Sequence, residues 1–65
     1  MAERFVIRDT SSGEFLAEKF MRGFYFTNDI QQAIKCKSQD EAQGKVEKQT
    51  VKEKSGLMID TVNFS

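Results

Sequence analysis

A chain of 65 residues with one cysteine and no histidine has no staple to draw on. A lone thiol closes no internal disulfide, and a Cys/His zinc site lacks its histidine. The fold must rest on burial, in a domain so small that only about 60% of the surface exposed by the unfolded chain leaves water. Such a chain can build one thin core, and apolar side chains beyond its capacity are left for another molecule to cover. Cysteine usage of this kind fits a reducing, intracellular setting.

Charge narrows the partners. Ten basic and ten acidic residues cancel, with a sequence pI near 6.2, which argues against a polyanion binder and equally against an acidic mimic of nucleic acid. The longest apolar runs, "FVI" and "LMI", fall far short of the roughly 18 residues that span a bilayer. The start, "MAERFVIRD", lacks the basic and apolar regions of a secretory signal. The expectation is a cytoplasmic protein with no membrane partner.

Residues 4–8, "RFVIR", have strand composition, and "DTSSGE" after them clusters turn formers, with Gly13 able to take a positive φ. "EFLAEKF" returns as a second strand, so residues 4–20 read as a β-hairpin. Alternation puts Phe5 with Ile7, and Phe15 with Ala17 opposite Leu16. Beyond Gly23, "FYF" forms a third short strand. "TNDIQQAIK" opens with Thr27 or Asn28 as N-cap and Asp29 in the first turn, and Ile30, Ala33 and Ile34 share one helical stripe, which predicts a two-turn helix.

"KCK" is a link or brief strand pointing Cys36 inward. "SQDEA" is a capping box in which Ser38 accepts from the backbone three residues on and Glu41 reaches back. The helix it opens turns Ala42, Val46 and Gln49 inward. Gly44 costs that helix about 1 kcal/mol against alanine, and a close approach of helix to sheet would account for it. "TVKEKSG" is an exit segment, and "LMIDTVNF", residues 57–64, is the last strand, with Met58, Val62 and Phe64 on one side and Leu57, Ile59 and Thr61 on the other. Apolar residues on both sides predict an interior strand or one covered by a partner. The expected fold is a single α+β domain over residues 1–65: a small antiparallel sheet of three to four strands opened by a β-hairpin, with one short and one longer helix packed on one face.

The order of "FVIRDTSSGEFL", "FYFTNDIQQAI" and "KSQDEA" resembles short bacteriophage and prophage proteins. In these an aromatic or aliphatic strand and a Gly-centred turn precede an aromatic before Thr-Asp or Asn-Asp, an alanine four residues later, and a Ser/Thr-x-x-Glu-Ala helix start. The likeness covers residues 4–42 and the closing strand. It departs at Phe26, where a tryptophan is frequent, and at Cys36, where a large aromatic is frequent. The resemblance implies a tiny phage-type protein, of a kind mostly uncharacterised in function, with binding and modification of a host machine as the activity expected of some, and it brings no active site with it.

The residues offer little chemistry. Cys36 lies between Lys35 and Lys37, which would favour a thiolate, yet neither a histidine nor a second cysteine assists it, and a buried small residue is the better reading. Asp29, Asp40 and Glu41 suit helix starts, and Asp60 suits a strand edge. Residues 31–56 carry six lysines against four carboxylates, a net of +2. Lys35, Lys37, Lys45, Lys48 and Lys52 would form the contact face of a small nucleic-acid-binding protein, although interleaved glutamates favour ordinary solubility.

Apolar surplus is the stronger signal. Phe5, Phe15, Phe24, Phe26, Ile30 and Val46 nearly fill one inner face, leaving others for the outside. The functional expectation is a non-enzymatic protein-binding module, a phage-encoded modulator or inhibitor of a host protein acting by surface occlusion. It needs no cofactor and no metal. Its contacts would be Arg22, Phe24 and Tyr25, with Phe20 and Met21 as apolar anchors. A homodimer through that surface or through an exposed strand edge is a close variant.

Overall fold

The structure, a computed structural model, describes residues 2–20 and 23–64. Four strands and one helix follow in the order β1 (Ala2–Asp9), β2 (Phe15–Glu18), β3 (Phe24–Thr27), α1 (Gln39–Lys48) and β4 (Leu57–Phe64), with a short 3-10 turn at Lys54–Gly56. The strands form an antiparallel sheet of order β3-β2-β1-β4. The chain is therefore α+β.

The hairpin forms where turn chemistry places it. The connection between β1 and β2 contains Gly13 at φ 78°, a left-handed conformation that glycine adopts without strain. Asp9 N–H donates to Glu14 O at 2.7 Å and Gly13 N–H to Asp9 O at 2.7 Å.

Register then decides which side chains meet. Arg8 stands opposite Phe15, and Leu16, Ala17 and Glu18 stand opposite Phe26, Tyr25 and Phe24. Because partners across a ladder share a face, Leu16, Phe24 and Phe26 join Phe5 and Ile7 beneath the helix, and Phe15 goes to the other side with Arg8 and Tyr25. The alternation was legible, but the face expected for Phe15 and Leu16 is reversed, since a shift of one position exchanges the faces of a strand. Ile7, Leu16, Cys36, Ala42 and Val46 form the buried cluster, with Phe5, Phe24, Phe26, Ile34, Leu57 and Ile59 packed against it.

The expected short helix after Thr27 is absent among the described residues. Its start signals operate: Asp29 N–H donates to Thr27 Oγ1 at 3.1 Å and Gln31 N–H to Asp29 Oδ1 at 2.9 Å. Only i→i+3 bonds follow, from Gln32 N–H to Asp29 O and from Ala33 N–H to Ile30 O. Ile34 N–H instead donates to Leu16 O at 3.0 Å, and Cys36 exchanges two bonds with Phe5 at 2.8 and 2.9 Å. Residues 34–36 thus engage the backbones of both β2 and β1. These sheet bonds take the backbone groups that a second helical turn would have needed, and long-range pairing overrides local propensity.

Helix α1 follows its capping signal. Ser38 Oγ accepts from Glu41 N–H at 3.1 Å, and the Glu41 carboxylate accepts from Lys37 N–H at 3.2 Å, one residue before the usual partner. Asp40 and Glu41 sit in its first turn and Lys45 and Lys48 in its last, both favourable to the helix dipole. Ala42, Val46 and Gln49 are buried as the spacing predicts, and the helix packs on β1 and β4. Gly44 is exposed, and a Cβ built there meets nothing within 4 Å. Close approach to the sheet is therefore not its reason.

Strand β4 spans the expected residues but lies at the edge of the sheet, not inside it. Its outer face carries an ion pair, with Arg8 Nε 2.9 Å from Asp60 Oδ2 but not aligned as a hydrogen bond.

Candidate functional site

The β2–β3 connection positions the expected contact residues. Lys19 N–H donates to Gly23 O at 2.9 Å, closing the turn, and Gly23 takes φ 137°, which a side chain would strain. Phe20 is 99% exposed at this turn. At the same end of the sheet an open cleft of about 500 Å³ is lined by Glu18, Gly23, Phe24 and Lys48. Phe20 and Phe24 are thus the aromatic residues of one end of the sheet. Tyr25 alternates onto the opposite face, where its hydroxyl donates to Gln32 Oε1 at 3.1 Å. Met21 and Arg22 lie outside the described residues.

Among the described residues the exposed large apolar side chains are Phe20, Val51 and Met58. Phe5, Phe24 and Phe26 pack beneath the helix as expected, and the remainder left outside is smaller than the sequence implied, because Leu16 is fully buried and Tyr25, Val62 and Phe64 are half-buried. The opposite face is partly covered: Val6, Ala17 and Ala33 are buried. The turn after β3 also faces β4 across a groove of about 390 Å³ lined by Ile30, Gln31, Lys35, Val62, Asn63 and Phe64.

The lysines do not gather into one face. Lys35 folds back, donating to Gln31 O at 2.6 Å and lying 5.1 Å from the Phe64 ring. Lys45 pairs with Glu18 at 3.5 Å, and Lys48 borders the cleft. Lys52 pairs with Asp9 and stands 4.6 Å from the Phe26 ring centroid. Lys37 is exposed. Charges already paired within the fold release few counterions on meeting a polyanion.

Sequence reasoning missed the polar cluster around Asp9. Its buried carboxylate accepts from Ser11 N–H at 3.1 Å, from the Ser11 hydroxyl at 2.9 Å, from the Ser12 hydroxyl at 3.0 Å and from the Lys52 ammonium. The Lys52 bond first, then the Ser11 N–H, hold it well below the usual carboxylate range against the opposing effect of desolvation. "DTSS" signals the local half of this network, whereas Lys52, 43 positions away, carries no local signal. Gln49, also buried, accepts from Val51 and Lys52 N–H at 3.0 Å each and donates to Lys52 O at 2.8 Å. It shapes the loop that delivers Lys52. Both clusters are saturated with protein partners and act as struts.

Cys36 is fully buried, and its thiol is pushed up by desolvation and then by the nearby Glu41 carboxylate. The Lys35 ammonium is bonded to backbone oxygens rather than turned to the sulfur. Asp29 and Glu41 bond backbone N–H groups, Asp40 lies in the first turn of α1, and Asp60 pairs with Arg8. Among the described residues no three Cys, Asp or Glu side chains cluster as metal ligands would, and no helix is long and apolar enough to cross a membrane. No family model, curated protein or solved structure matches the chain.

Proposed function

We propose that the chain is a non-enzymatic protein-binding module whose contact centre is the β2–β3 end, with Phe20 as anchor and the Phe24 cleft beside it. The observation that carries this reading is a phenylalanine at 99% exposure on a turn whose Gly23 lines a cleft shared with Phe24. A fully exposed ring contributes nothing to its own fold, and burying it against a partner is worth about 2 kcal/mol. Aromatic residues are enriched at the centres of interfaces. Glu18 and Lys48 at the cleft rim supply the polar border that such anchors require. The form proposed for this binding is occlusion of a host protein's surface, which excludes that protein's natural partner.

The test is capture from a candidate host lysate with wild type and Phe20→Asp side by side. Phe20→Asp should leave the circular dichroism spectrum and melting temperature unchanged and weaken the captured interaction about thirtyfold. A captured set that is the same for both proteins would refute the assignment. Unfolding of the variant would mean that the ring is part of the core.

A further inference from the structure

We propose that the chain forms a two-fold dimer by pairing the free edge of β4 with β4 of a second copy. This concerns the opposite edge of the sheet from β3 and stands independently of the Phe20 patch. Backbone directions come first. Phe5 N–H and C=O both bond Cys36, and Asp9 N–H bonds Glu14, so alternate residues of β1 face away from β4. Their β4 partners Leu57, Ile59, Thr61 and Asn63 then sit in non-hydrogen-bonded pairs, and their own backbone groups point out along the free edge. The Leu57 N–H is already given to Lys54 O. Ile59, Thr61 and Asn63 remain as the open row.

The edge lacks the features that usually keep such rows apart. It is eight residues long, contains neither proline nor lysine, and runs in unbroken register with β1. Its one charge, Asp60, is neutralised by Arg8. The other edge strand, β3, has four residues.

Register follows from chemistry. Antiparallel pairing that keeps both helices on one side places residues of like parity opposite each other. Of the two longest such registers, one sets Asp60 against Asp60 and requires the occupied Leu57 N–H. The other sets Thr61 against Thr61 on the axis and Ile59 against Asn63 of the second copy, so that the open row closes completely. It places Asp60 beside the second copy's Val62, and Met58 beside the second copy's Phe64. Met58 is exposed, and a thioether against an aromatic ring is a favourable contact. With strands about 4.8 Å apart, helices seated over β1 and β4 come about 10 Å from each other, an ordinary packing distance. So small an interface, under about 1,200 Å², implies a weak dimer.

Sedimentation equilibrium over micromolar to millimolar protein tests the proposal. Wild type should move from monomer to dimer. Thr61→Pro removes two axial hydrogen bonds without touching the β1 ladder and should weaken association about thirtyfold. Val62→Asp, which faces Asp60 across the interface, should weaken it while Val62→Lys preserves it. If Thr61→Pro unfolds, the valine pair still decides. In a Met58→Cys, Phe64→Cys double variant the two thiols are too far apart on one strand to pair internally, so oxidation should yield a covalent dimer. Wild type that stays monomeric at the highest concentration, or a dimer indifferent to Val62→Asp and uncrosslinked by the cysteine pair, would overturn the proposal.

Discussion

Gly44→Ala is the sharpest test of how this helix is held. Gly44 lies inside α1, exposed, with no positive φ and open space around the position of a Cβ. Nothing in the fold therefore uses the missing side chain, and what remains is the entropic penalty of glycine in a helix, about 1 kcal/mol relative to alanine. For a domain of this length 1 kcal/mol corresponds to a rise in melting temperature of about 4–8 °C. Thermal and urea unfolding followed by far-ultraviolet circular dichroism should show that rise, with a higher urea midpoint and an unchanged slope. A variant that is no more stable, or less stable, than wild type would refute the reasoning, because it would mean that Gly44 is already in contact with something a methyl group displaces.

Two further outcomes follow from the buried groups. The Asp9 carboxyl is held below its unfolded value of about 3.9 by Lys52, Ser11 and Ser12, so its stabilising contribution is complete above that value and is lost as pH falls through the lower folded one. Asp9→Asn should be less stable at neutral pH and show a shallower loss of melting temperature below pH about 4; identical acid limbs for both proteins would remove Asp9 from the account. Glu47, lowered by Lys54, acts in the same direction and would leave part of the slope in place. Cys36, buried and with its thiol pushed up, should react with an aromatic disulfide reagent only as fast as the protein opens, with labelling that accelerates in urea. Labelling of the native protein at the rate of free cysteine would show the thiol to be accessible.

Local chemistry was legible wherever a few neighbouring residues settle the outcome. The Gly13 turn, the Ser38 cap, the inward set of Ala42, Val46 and Gln49, and the span of β4 depend on side chains within a turn of one another, and the sequence alone determined them. Thr27 was also read correctly as a residue that caps backbone, yet the helix it announces does not form, because Ile34 and Cys36 give their N–H groups to Leu16 and Phe5. That choice belongs to the tertiary structure, since a sheet bond and a helical bond compete for the same donor and only packing decides between them.

The candidate site divides in the same way. That this short chain carries more apolar surface than one core absorbs could be read from composition. The inward set of Phe5, Phe24 and Phe26 could be read as well, but the faces of Phe15 and Leu16 could not, because the pairing of Arg8 with Phe15 fixes the face of every residue in β2. Leu16 was thereby drawn under the helix, Phe15 sent to the far side, and Phe20, beyond the end of β2, left in water. Lys52 reached Asp9, and β4 reached the edge, by the same long-range closure. Periodicity tells which residues share a face. Only the assembled sheet, by joining strands far apart in the chain, decides which face is the inside.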